Sequence, residues 1–179
     1  MGHLVFQKDV IQWKGKKMID YIVGTISDKL QEGIVVENQG MGYYIMTPSS
    51  VITALPAKGE EVKIYTYLHV REDILALYGF LSQEEKKVFI QLIGVSGIGP
   101  KAGLAILSIM TVRELQMAIL AQDTKAIAKA QGVGIKTAQR VMIELKDKLD
   151  LEAMTMESEP GIEDGNDAAT EAYMGLVNL

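Results

Sequence analysis

The chain has 179 residues, 48% of them hydrophobic, and a formal net charge of −5, enough apolar content for one or two modest domains with buried cores. No stretch approaches the roughly 18 uninterrupted apolar residues of a membrane-spanning helix, and the first residues lack the apolar core of a secretory signal, so a cytoplasmic location is expected. Cysteine is absent and only His3 and His69 could supply imidazole, which excludes disulfides and thiolate sites and leaves no metal or cofactor centre to expect.

Residues 1–17 show no period of their own and precede Met18, where a strand-like segment begins; they read as a leader or an expression-derived extension. From 18 to 80, short β-rich runs follow one another: Ile19–Ile26, Gly33–Glu37, Tyr43–Thr47, Val62–His69 and Ile74–Tyr78. Glycine-rich or charged turns separate them, and five such strands predict a small OB-like β-barrel. The last turn, Arg71-Glu72-Asp73, is on these terms a charged turn between two strands.

Helical signals begin at Ser82, where Ser82-Gln83-Glu84-Glu85 has capping-box spacing and Val88, Phe89, Leu92 and Ile93 form an apolar face. A second helix opens at Pro100, a position that tolerates the missing N–H. A third is capped at Thr111, a short fourth covers about 124–130, and a fifth runs from Lys136 to Leu149 with Ala138, Met142, Leu145 and Leu149 on one face. Residues 81–150 therefore form an all-α domain, and the fold class is α+β with two structured domains. Beyond Asp150 the chain has no basic residue and reads as a flexible acidic linker over 151–166. Residues 167–179 could start a further helix, with Ala168, Ala172 and Leu176 at four-residue spacing.

Charge is unevenly divided among these segments. Residues 1–17 hold four bases and one acid, 18–80 four and eight, 81–150 ten and seven, and 151–179 none and seven. The helical domain is thus the only sizeable one with a positive balance, the condition for an anionic partner.

That domain carries one pattern twice, 35 positions apart: Gly97-Ile98-Gly99-Pro100-Lys101 and Gly132-Val133-Gly134-Ile135-Lys136. A Gly-x-Gly turn that opens a helix leaves backbone N–H groups pointing outward at the positive end of the helix dipole, and a lysine adds mobile charge. Such a turn holds a phosphate and reads no base. The plain alternative is a helix–turn–helix connection closed by glycine. It leaves the repeated lysine without a reason. Arg140, four residues after Lys136, shares that lysine's helix face, and is otherwise a solvated surface arginine.

The combination of barrel, paired hairpins and acidic linker resembles the bacterial RuvA family of Holliday-junction branch-migration proteins over about residues 18–150. Its most specific stretches are Val70-Arg71-Glu72-Asp73-Ile74-Leu75-Ala76-Leu77-Tyr78-Gly79-Phe80 and the two hairpins, the second continuing to Thr137-Ala138. The resemblance implies a homotetramer, or two stacked tetramers, that holds four-way junction DNA open. It places the DNA grip on the amides around Gly97, Gly99, Gly132 and Gly134 and on Lys101, Lys136 and Arg140. It makes Glu72 and Asp73 an acidic pin at the junction centre, where carboxylates repel crossing phosphates. It implies as partners a RuvB-type hexameric ATPase and a RuvC-type resolvase. Two departures follow: Ile135 stands where relatives can carry another base, implying a weaker grip there, and the chain stops where the motor-docking domain would begin, implying impaired docking.

No catalytic constellation accompanies these motifs. The Walker pattern fails in both glycine runs, by Pro100 before Lys101 in the first and by spacing from Gly132 to Thr137 in the second. Hairpin-bearing glycosylases use a hairpin lysine or a downstream aspartate, but Asp147 and Asp150 lie at a lysine-rich helix end, and the iron–sulfur cluster of some of those enzymes would need cysteine. The expectation is a non-catalytic, junction-specific DNA-binding scaffold of recombination and repair, driven by a partner's ATPase. A protein-assembly module is the alternative, distinguished by indifference to DNA structure.

Overall fold

The computed structural model describes residues 18–156, with side chains through 146. Five strands close into a barrel in the order β1-β2-β3-β5-β4, with β1 Tyr21–Leu30, β2 Gly33–Asn38, β3 Met41–Met46, β4 Glu61–Val70 and β5 Leu75–Phe80. All neighbours are antiparallel except β3 and β5, which meet in parallel at Met46 and Tyr78. This is the OB-like barrel expected. Inward-facing aliphatics at alternate positions fill it: Ile22, Ile26, Ile34, Val36, Ile45, Val62 and Ile64 are all buried, as the two-residue period of a pleated strand requires.

β1 runs to Leu30, beyond the Ile26 end read from the sequence. A bulge shifts its register on β2 between Ile26 and Asp28, which breaks the alternation while the pairing continues. A short helix, α1 Ser49–Ala54, was not foreseen. Six residues show no helical period, and its stability comes from tertiary contacts: Val51 and Leu55 enter the barrel core, and the Ser50 hydroxyl donates to the Leu107 carbonyl at 2.9 Å.

The helices follow as α2 Gln83–Ile93, α3 Pro100–Ile109, α4 Val112–Leu120, α5 Thr124–Ile127 and α6 Ile135–Met156. Both foreseen capping boxes form. The Ser82 and Thr111 hydroxyls accept from the Glu85 and Glu114 amides, and each glutamate accepts in return from its cap's backbone N–H.

α2 fixes the helical domain to the barrel. Phe89 is fully buried among Tyr67, Tyr78 and Phe80, with ring centroids 5.9, 5.2 and 4.9 Å away. The buried Lys86 ammonium donates to the Asp20 carboxylate at 2.6 Å and to the Asp20 carbonyl at 2.9 Å, so its charge is partnered where water is excluded.

α6 corrects one reading: residues 151–156, expected to open the linker, are helical. No glycine or proline occurs between Gly134 and Pro160, so nothing in the local chain stops the helix where the basic residues end. The chain divides into two units at Leu145 and Lys146, and the second holds, among the described residues, only the last part of α6. The expected leader 1–17, the rest of the linker 157–166 and the tail 167–179 lie outside the described residues.

Candidate nucleic-acid interface

The sequence repeat becomes a structural repeat, bond for bond. In the first hairpin the Val95 N–H donates to the Leu92 carbonyl, Ile98 N–H to Val95 and Gly103 N–H to Gly99, each at 3.0 Å. In the second, Ala130 N–H donates to Ile127 at 3.1 Å, Val133 N–H to Ala130 at 3.1 Å and Ala138 N–H to Gly134 at 2.9 Å. Gly97 and Gly132 take the left-handed conformation at the same point of the turn, with φ of +91° and +79°, which an L side chain adopts only at a cost.

Burial separates the turn residues by role. Val95, Ile98, Ala130 and Val133 point into the core and are at most 6% exposed; they anchor each turn. Gly97, Gly99, Gly132 and Gly134 are exposed, as are Lys101, Lys136 and Arg140. A β-carbon placed on Gly99, Gly132 or Gly134 would meet nothing within 4 Å, so the space above these turns is open to a ligand's approach. Gly99 is the N-cap of α3 and offers no side-chain cap, which leaves first-turn amides without an intrahelical acceptor. The two turns are not equal donors: Pro100 has no N–H, whereas Ile135 at the matching place keeps one. Ile135 is itself 52% exposed.

One relationship was not foreseen. A β-carbon on Gly97 would lie 3.7 Å from Nη1 of Arg140 and 3.9 Å from Oγ1 of Thr137, so the start of α6 borders the first turn and the two hairpins share one surface. Thr137 thereby joins the candidate residues. Its sequence signal, a hydroxyl directly after the hairpin lysine, gains meaning only from this juxtaposition.

Glu72 and Asp73 occupy a separate place, the turn joining β4 to β5. Arg71 N–H donates to the Ile74 carbonyl at 2.8 Å and closes it. Both carboxylates are exposed, and neither has a hydrogen-bond or ion-pair partner among the described residues. Val70, Ile74 and Leu75 flank them and are 63%, 45% and 77% exposed. Strand alternation alone would have put Val70 and Leu75 in the core.

Among the described residues no three His, Asp or Glu side chains gather where they could hold a metal, and no single helix is long and apolar enough to cross a membrane. What the arrangement offers is exposed backbone and cationic side chains on the two hairpin turns and unpaired carboxylates on the β4–β5 turn; groups of the first kind attract a phosphate and those of the second repel one.

Residues 18–79 match the RuvA N terminal domain and residues 89–147 the SAM-like helix-hairpin-helix tandem. A protein of Acetivibrio thermocellus is 47% identical over 167 residues, spanning 90% of this chain and 83% of its own length. One from Lachnospira eligens is 51% identical over 135 residues, 75% of this chain and 65% of its own, and one from Thermoanaerobacter pseudethanolicus is 41% identical over 162 residues, 90% and 83%. Each of the three is named Holliday junction branch migration complex subunit RuvA.

Proposed function

The chain belongs to the RuvA family, and from that premise we propose that its paired hairpins and its acidic turn divide the work of holding a four-way junction open. Its function is that of a Holliday junction branch migration subunit: structure-specific binding of junction DNA through its helix-hairpin-helix domain.

The hairpins grip phosphates. Amides around Gly97, Gly99, Gly132 and Gly134 face backbone oxygens, and Lys101, Lys136 and Arg140 displace counterions from the duplex. None of these groups reads a base edge, so the grip tolerates any sequence and an arm can slide through it. Thr137 adds a hydroxyl at the seam between the two turns.

Glu72 and Asp73 act as the pin. Carboxylates set among the crossing strands raise the energy of any phosphate there, which disfavours a continuous duplex across the centre and favours separated arms. Four copies arranged symmetrically supply one arm site each, so the working form is a homotetramer, or two facing one another across the DNA.

The chain itself performs no chemistry. Branch migration breaks as many base pairs as it forms, so direction has to come from ATP hydrolysis in a partner, a hexameric RuvB-type motor. A RuvC-type resolvase is a second partner for the opened junction, and the cytoplasm is where these components meet.

The observation that carries this reading is the bond-for-bond repeat of the two turns, each bearing an exposed lysine two residues after its second glycine. Structural turns need no cation at a repeated offset. A gel-shift comparison of a four-way junction with linear duplex tests it.

A further inference from the structure

The β4–β5 arm outruns the barrel. The β1 ladder on β4 ends with Tyr21 opposite Tyr65, followed by one bond from the Thr66 N–H to the Asp20 carbonyl, and β3 meets β5 only at Tyr78. β4 and β5 nevertheless stay paired out to Val70 and Leu75.

Three cross-strand pairs share one face of this arm: Thr66 with Gly79, Leu68 with Leu77 and Val70 with Leu75. The first lies buried inside the barrel and Leu77 is 9% exposed, but Val70 and Leu75 are 63% and 77% exposed. The apolar row that fills the barrel thus continues past its end with nothing over it among the described residues. Ile74 widens the patch, and the turn beside it holds Glu72 and Asp73.

The chemistry of the tip selects its occupant. A phosphate is repelled by the two carboxylates. A second copy seated directly tip on tip would set carboxylate against carboxylate with no strand between them. A nucleobase suits both parts, because its face is apolar and neutral while the exocyclic amino group of cytosine or adenine donates to a carboxylate. Aliphatic side chains act as wedges against unstacked bases elsewhere in DNA recognition.

We infer that Val70, Ile74 and Leu75 form an apolar wedge that receives an unstacked base at the crossover, with Glu72 or Asp73 accepting from its amino group. The inference rests on the junction-binding function above and adds to the pin a contact with bases, where repulsion acts only on phosphates.

The test uses the full chain and four-way junctions carrying 2-aminopurine next to the crossover, whose fluorescence rises when the base leaves the stack. Wild-type protein should raise the signal. Val70→Ser with Leu75→Ser should lose most of that rise while keeping the salt dependence of junction binding, since the hairpins are untouched; Leu75→Ala alone provides a milder variant should the pair impair folding, checked by thermal melting. An equal rise with wild type and variant would overturn the wedge, as would a changed sedimentation mass of the DNA-free variant, which would make the patch a protein contact. A wild type that binds junction no better than duplex would overturn the junction reading, and the wedge with it; that result appears in the binding isotherm, apart from the fluorescence.

Discussion

The guanidinium of Arg140 stands 3.7 Å from where a β-carbon of Gly97 would be, although 43 residues separate the two in the chain. That spacing is ordinary van der Waals contact, so a methyl group at Gly97 would fit and the penalty there would be the left-handed backbone alone. Gly132 has the same φ sign and open space. Gly97→Ala and Gly132→Ala should therefore cost the same, about 1–2 kcal/mol each, measured by urea unfolding. A much larger loss for Gly97→Ala would mean that the seam between the hairpins is tighter than this contact.

Phosphate contacts leave a mark in the salt dependence of binding. Lys101→Ala with Lys136→Ala should weaken junction binding and lower the slope of log K against log salt by about 2, at roughly 0.9 per phosphate contact. Adding Arg140→Ala should lower it by about one more on the same scale. Slopes measured by fluorescence anisotropy across a salt series decide this, and an unchanged slope removes the lysines from the interface.

Charge at the proposed pin, Glu72 and Asp73, should matter most where duplex has to be refused. Glu72→Gln with Asp73→Asn keeps the shape of the turn and removes both charges, so affinity for linear duplex should rise and junction preference should fall. Equal duplex affinity before and after, in the same titration, would reduce the turn to a strand connection.

Glu114 has its carboxyl held below the usual range, first by the hydrogen bond from the Thr111 backbone and then by that from the Thr111 hydroxyl. A depressed folded-state pKa means the stabilisation is present above the ordinary glutamate pKa and is lost as pH falls through the folded value. Stability of α4 should drop on acidification, and Glu114→Gln should remove that part of the pH dependence. Thermal melts of both proteins from neutral to acid pH make the comparison. Parallel curves would contradict it.

Legibility in the sequence followed the range of each interaction. Capping boxes at Ser82 and Thr111 and the proline opening α3 are local chemistry, and they read correctly. So did the barrel, whose five short β-rich runs broken by glycine-rich and charged turns are a local signal too. What failed was set by tertiary contact. α1 is held by Ser50 on Leu107 and by Val51 in the barrel, and the bulge after Ile26 hid the length of β1. Change of composition was mistaken for change of structure after Asp150, where α6 continues to Met156. At the candidate site, the glycines and lysines stand out in the sequence because they repeat, whereas Thr137 and the exposed Val70–Leu75 pair depend on where elements end and meet. The resemblance, and not the spacing, singled out Glu72 and Asp73.

The most direct test of the central claim is a gel-shift competition between a synthetic four-way junction and linear duplex of equal length, at moderate salt with magnesium present. Junction DNA should hold the protein against a large excess of duplex. Equal competition by the two, or no binding to either, would contradict the account and leave an assembly module in its place.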